Sequence, residues 1–293
     1  MSDVSLGRLG DFLRSRRARI QPEDVGLPVF GRRRRVPGLR REEVAQLAGV
    51  SVDYYIRLEQ GRGHNASDTV LDAVARVLRL DRTEREHLLD LARPSRVADT
   101  PTQTPARPGV RVLLDMIDTP AFVLGRCMDV LAWNAPADAV IGFSAMAPGA
   151  RNMVRHAFLD PAARARYPDW AAVAADTVAY LRLEAARHPD DGRMAALVEE
   201  LSAGDATFRR LWEEHQVTEK TYGTKLLCHP EVGEFEVGYE TLTLPGDADQ
   251  LIVVYTAVPG SVAARKLAAL TGDAGGPAPL SDAVASGTAS ASV

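Results

Sequence analysis

The segment Glu42-Glu-Val-Ala-Gln-Leu-Ala-Gly-Val-Ser51 runs directly into Val52-Asp-Tyr-Tyr-Ile-Arg-Leu-Glu-Gln-Gly61. Two short amphipathic stretches are thus hinged on a Gly-Val-Ser turn. Gly49 suits the left-handed residue that ends a helix, since it has no Cβ to clash. Ser51 is a natural N-cap for the next helix, with Val50 and Tyr55 spaced as a hydrophobic staple across it. Val44, Leu47 and Ala48 form the expected inner face of the first helix, and Ala45 is small enough for another helix to cross closely. Tyr55 and Leu58 form the inner face of the second helix. On the opposite side of the wheel lie Asp53 and Arg57, flanked by Tyr54 and Ile56. So tight a bend fixes the angle between two helices and leaves the first turn of the second one free.

The flanking sequence supplies a frame. Leu6, Leu9, Phe12 and Leu13 recur at helical spacing over 6–20, whereas 21–38 holds three Pro and three Gly and reads as a loop. Helices are predicted over 40–48 and 51–60. A fourth starts at Ser67-Asp68, with Val70, Leu71, Val74 and Leu78 inward. A fifth, capped by a Thr83–Glu86 box, runs to Ala92. Five helices in fewer than a hundred residues make an all-α helix-turn-helix domain over 1–93.

A recognition helix of this kind enters a major groove about 12 Å wide with its first side chains against base edges. Arg57 fits guanine O6/N7, Asp53 a cytosine amine, and Val52 a thymine methyl. Ser51 and Tyr54 lie on the same turn. Arg41, Gln60, Arg62 and Asn65 are placed for phosphates, which set register without reading sequence. The run Arg32-Arg33-Arg34-Arg35 reads either as a phosphate clamp or as a solvated loop.

Charge distribution agrees with this division of labour. Residues 1–96 carry 19 Arg against 14 acidic residues, and the remainder carries 16 basic against 25 acidic, although the whole chain has a net charge of −4. A basic third followed by an acidic remainder implies two modules with different partners. Lysine occurs only at 220, 225 and 266, so arginine's position says more than its abundance.

Residues 94–109 are proline-rich and read as a linker. A second domain follows over 110–271, and 272–293 is a small, polar tail of the kind that stays disordered. Strands are predicted at 121–124, 129–133, 224–228, 234–244 and 250–256, with a long helical region from about 150 to 215 between the second and third. In the middle strand Phe235, Val237 and Tyr239 alternate with glutamates, so one face is buried and one wet. The result is an α+β, PAS-like domain with a five-stranded antiparallel sheet.

Residues 40–61, from LRREEVAQLAGVS through YIRLEQG, resemble the Cro/repressor-type (XRE) helix-turn-helix family. Val52 stands where that family often has a polar base-reading residue. In the second domain DVLAWN (129–134), RNMVRHAFLDPAAR (151–164), FRRLWEEHQV (208–217), KLLCHPEVGEFEVGYETL (225–242) and VVYTAVPGS (253–261) resemble the MmyB-like transcription-regulator ligand-binding domain. That resemblance implies an actinobacterial regulator with a fatty-acid-like ligand, and a symmetric dimer would match a palindromic double-stranded operator, with two recognition helices one turn of DNA apart. Phe122, Trp133, Met153, Tyr180, Phe208, Trp212 and Tyr239 then serve either as core or as pocket lining. Arg155, Arg182 and His215 are the expected partners of the ligand carboxylate, with pairing to acidic neighbours the alternative for the arginines. The second domain also reads as a plain dimerisation or interaction module.

No Gly-Lys-Ser/Thr loop, His-Glu-x-x-His or Gly-x-Ser-x-Gly elbow occurs. No catalytic residue, cofactor or metal site is therefore expected. With no secretory leader and no long apolar run, Cys127 and Cys228 are expected as reduced thiols in a cytoplasmic, nucleoid-associated bacterial protein that does not engage membranes.

Overall fold

A computed structural model describes residues 3–27, 38–61, 66–93 and 104–272. The Arg32–Arg35 run, Arg62, Asn65, linker residues 94–103 and the tail from 273 lie outside the described residues.

Helix α1 (Asp3–Arg19) buries Leu9, Phe12 and Leu13. It is followed by α2 (Arg41–Ala48), α3 (Val52–Glu59), α4 (Asp68–Val77) and α5 (Arg82–Ala92). These helices share one core built on Phe12, Val44, Tyr55, Leu58, Leu71, Val74 and Leu88. One close approach in it depends on a missing side chain. A Cβ on Gly10 would stand 2.2 Å from the Glu59 carbonyl oxygen, so α1 meets the end of α3 backbone to backbone.

Two local expectations change. Asp81, not Thr83, caps α5: its carboxylate accepts the Glu84 N–H at 2.8 Å, and Glu84 accepts the Asp81 N–H at 3.3 Å. Asp81 reaches the bare helix end two residues earlier and completes a reciprocal box with Glu84. Leu47 is 37% exposed, while Ala45 is fully buried beside Val44. The small alanine is what lets α2 press against its neighbours.

The second domain comprises α6 (Pro108–Asp115), β1 (Ala121–Leu124), β2 (Val130–Trp133), α7 (Ala135–Ile141), α8 (Met153–Leu159), α9 (Ala163–Arg166), α10 (Trp170–Arg187), α11 (Gly192–Gly204), α12 (Ala206–Glu213), β3 (Tyr222–His229), β4 (Gly233–Leu244), β5 (Asp247–Thr256) and α13 (Val262–Thr271). The strands form one antiparallel sheet in the order β2-β1-β5-β4-β3, which leaves β2 and β3 at its edges. Register pairs Phe122 with Val253, Tyr239 with Tyr255 and Lys225 with Val237, so these residues share the face that the helices cover. Between sheet and helices the space is filled by interlocked rings: Phe122 meets Phe143 and Tyr255 edge-on at 5.3 and 5.7 Å, and Phe158 meets Phe208 at 5.2 Å.

Helices α6, α7 and α13 have no counterpart in the sequence reading. Pro108 opens α6 at its first turn, where proline is tolerated, inside a stretch whose composition reads as linker. Residues 104–107 are likewise attached to the domain. Ala106 is buried on the other side of the sheet with Val110, Leu114 and Ile252, and Gln250 donates to the Thr104 carbonyl at 3.1 Å.

Candidate functional site

Local chemistry aims α3 outward. Gly49 takes φ 70°, and Ser51 Oγ accepts the Tyr54 N–H at 3.1 Å. Tyr55 and Leu58 are buried, and Val50 packs partly against the same core. Ser51, Asp53, Arg57 and Gln60 are all exposed, as is Val52 at 37%. The Arg57 guanidinium lies 5.9 Å from the Tyr54 ring centroid, and its Nε donates to the Asp53 carbonyl at 3.4 Å. The Arg57 side chain is thus held against the Tyr54 ring and the Asp53 backbone on the exposed face of the helix.

Beneath that patch sits Glu59, 1% exposed, which ion-pairs with Arg17 at 2.9 Å and Arg41 at 3.2 Å. The Arg41 side chain, half exposed, thus divides between fixing α3 and facing solvent. A lone buried carboxylate would be costly, and two guanidinium groups offset that cost.

The helical domain docks on α10 of the second. Leu183, Ala186 and Val217 belong to the same hydrophobic cluster as Phe12 and Leu88. Arg16, 1% exposed, ion-pairs with Glu84 at 2.8 Å and donates to the His215 carbonyl at 2.6 Å. Arg8 donates to the Ala185 carbonyl at 3.1 Å, and Arg187 faces Asp90 at 3.7 Å. Burial lowers the Arg16 pKa to about 10, which still leaves it charged at neutral pH. His87 lies in the same seam, edge-on to Phe12 at 4.8 Å. Burial, then Arg182 and Arg16, push its pKa down to about 3, so it is neutral.

A cleft of about 770 Å³ opens along the free edge of β2. Leu114 and Arg111 of α6 form one wall, Arg155, Arg193 and Leu197 another, with Trp133, Arg151 and Asn152 between them. Trp133 and Arg155 are the residues of the sequence-derived ligand set that line it. Arg155, Arg182 and His215 do not converge on one carboxylate site. Arg155 is held by Glu200 at 2.6 Å. Arg182 is buried in the seam, stacked 4.1 Å from the Trp212 ring centroid and donating to the Trp212 carbonyl. His215 stands beside Arg16 with φ 52°, its pKa lowered to about 4 by burial and then by Arg182. Phe122, Met153, Tyr180 and Phe208 are buried in packing, Trp212 stacks on Phe208 at 5.8 Å, and Tyr239 is half-buried against the core. Large aromatics here are spent on filling the sheet–helix interface.

Arg111, Arg151 and Arg193 were not in the sequence-derived set, and neither were Arg16 and Glu59. Only RNMVR carried a hint, as a basic segment following a strand. Among the described residues no group of acidic residues, histidines or cysteines is arranged to hold a metal ion. Nor is any described helix long and apolar enough to cross a membrane. Cys127 and Cys228 are free thiols, and burial raises the Cys127 pKa to about 12.

Residues 8–88 match the family model described as a helix-turn-helix domain. Residues 106–270 match the one described as the MmyB-like transcription regulator ligand binding domain. A comparison with curated proteins finds no match. With a DNA-binding module of known type in front and more than half of its length in the second match, the chain is a DNA-binding transcription regulator and belongs to the MmyB-like transcription-regulator family.

Proposed function

We propose that the protein binds a palindromic operator as a homodimer and that its second domain senses a small hydrophobic molecule with an anionic head, a class that includes fatty-acid-like ligands. The observation that carries the DNA reading is the exposed patch of Val52, Asp53 and Arg57 on a capped helix braced from below by Glu59. In this reading Arg57 and Asp53 contact base edges, Val52 meets a thymine methyl, and Arg41 and Gln60 contact phosphates beside them. Arg32–Arg35, Arg62 and Asn65 are proposed as further phosphate contacts.

Two copies related by a two-fold axis present their α3 helices about 34 Å apart, one turn of DNA. Exposed Val112 and Leu113 on α6, with Met116 just past its end, support an apolar contact between copies. Sensing requires a path between the domains, and α10 supports one, since Leu181 packs in the second domain's core and Leu183 in the first's. A coupling of about 1–3 kcal/mol through that helix changes operator occupancy several-fold or more.

Selection from randomised duplexes, followed by anisotropy titrations at several salt concentrations, tests this reading. The expected result is a two-fold symmetric site with affinity falling steeply as salt rises. Equal affinity for all sequences would overturn it.

A further inference from the structure

We infer that the cleft along the free edge of β2 is a recognition site for a compact organic carboxylate, with Arg151 as the residue that grips it. The inference rests on the sensing role proposed above and names its site and ligand class.

The cleft's volume lies in the range of small-molecule sites, and its walls are mixed rather than dry. Leu114, Leu131 and Leu197 offer an apolar side, while four guanidinium groups face one lining carboxylate, Asp129. Two of the four have acidic partners: Arg193 with Asp129, and Arg155 with Glu200. Asp129 also accepts from Asn152 at 2.9 Å. Among the described residues, no carboxylate pairs with Arg151 or Arg111. The lining is therefore net positive and favours an anion.

Arg151 is also pre-set for this task. Its guanidinium lies 5.0 Å from the Trp133 ring centroid, and its Nε donates to the Phe143 carbonyl at 3.1 Å. Stacking fixes the plane and the Nε bond fixes the rotation. That leaves the two Nη groups as a fork for a carboxylate, the geometry in which arginine outperforms lysine. Asn152, next in the chain, is anchored by bonds to the Cys127 carbonyl and the Val154 and Arg155 N–H groups, and the Val130 N–H donates to the Arg151 carbonyl at 2.8 Å, so the backbone that carries Arg151 is held in place.

A long saturated chain fits this site poorly. It gains, methylene by methylene, from burial in a dry, enclosed space. Here the cleft is open, and the sheet–helix interior is occupied by the Phe122, Phe143, Phe158, Phe208 and Tyr255 rings. A compact, flat carboxylate covers the apolar wall while its charge stays at the arginines.

The test is calorimetric titration of the full chain with 2-naphthoate, its neutral analogue 2-naphthamide, and decanoate. Naphthoate is expected to bind at least about tenfold more tightly than either of the others, and Arg151→Gln to weaken it about tenfold or more at unchanged thermal stability. If Arg151→Gln does not fold, Arg151→Lys keeps charge and stem but removes the fork, and the same loss is expected. Amide and carboxylate binding alike, decanoate binding best, absence of naphthoate binding, or affinity indifferent to both variants overturns the inference. Repeating the operator titration with naphthoate present separates the two proposals. Arginine-dependent binding that leaves DNA affinity unchanged would uphold the cleft and sink the sensing role, while a decanoate response alone would do the reverse.

Discussion

Helices α3 and α10 meet the solvent in opposite ways. One side of α3 is buried through Tyr55 and Leu58, and the other presents Val52, Asp53 and Arg57 to water. From Val178 to Ala186, α10 is buried on every side, charged Arg182 and Glu184 included, because two domains press on it at once. A helix with one polar face in water keeps those side chains available to a partner, whereas a helix covered all round is in contact with the neighbours on each side of it. The proposed reading role therefore falls to α3 and the proposed coupling role to α10, and each can be broken separately.

The largest expected effect is on α10. Leu183 is fully buried in the core shared with the helical domain, so Leu183→Ala should lower stability by about 3 kcal/mol, the cost of a cavity in a tight seam. Thermal unfolding should also separate into two transitions as the domains uncouple. A loss under about 1 kcal/mol, with one transition retained, would mean the seam is loosely packed.

A smaller effect comes from pH. The folded-state pKa values of His87 and His215 lie below the ordinary histidine value, near 3 and 4, with burial as the main cause. Above about pH 6.5 both histidines are neutral whether folded or unfolded, and the folded seam is fully stable. As pH falls from there toward the folded-state values, the unfolded chain takes up protons first, and stability declines by up to ~1.4 kcal/mol per pH unit per histidine. Arg16, Arg182 and Arg187 surround His87 and reinforce the trend. Its Nδ1 is buried without a hydrogen-bond partner, so His87→Phe should flatten the acid limb of the stability curve without loss at pH 7. An unchanged acid limb would assign the acid sensitivity elsewhere.

The smallest effect belongs to α3. Val52→Ala on its exposed face should change stability by less than about 0.5 kcal/mol, while lowering affinity for sites with thymine at the contacted position. A larger stability loss would show that this face packs against something.

The same contrast explains what was legible in the sequence. The Gly49–Ser51 turn, the cap at Ser51, the helix start at Ser67-Asp68 and the inward spacing of Tyr55 and Leu58 are rules of a few residues' range, and the structure follows them. In the second domain β4 was legible from alternation and the other strands as short apolar runs, yet their order was not, since it depends on pairing between residues more than a hundred positions apart, as with Phe122 and Val253. The site residues divide similarly. Asp53 and Arg57 follow from a helical wheel. Arg155, Arg182 and His215 looked alike as partners for a carboxylate, and only the fold sends Arg155 to the β2 cleft and the other two to the domain seam. Arg16 and Glu59 were hidden for the same reason. A charge placed among many arginines gives no sign in the sequence that it is buried.

The measurement that bears most directly on the central claim is the base-by-base specificity of Arg57→Ala against the unmodified chain on the selected operator. The expected result is a loss of about 1–3 kcal/mol confined to one base pair in each half-site, with affinity for unrelated DNA and the salt dependence nearly unchanged. A uniform loss across all sequences, or none at all, would mean that α3 does not read bases.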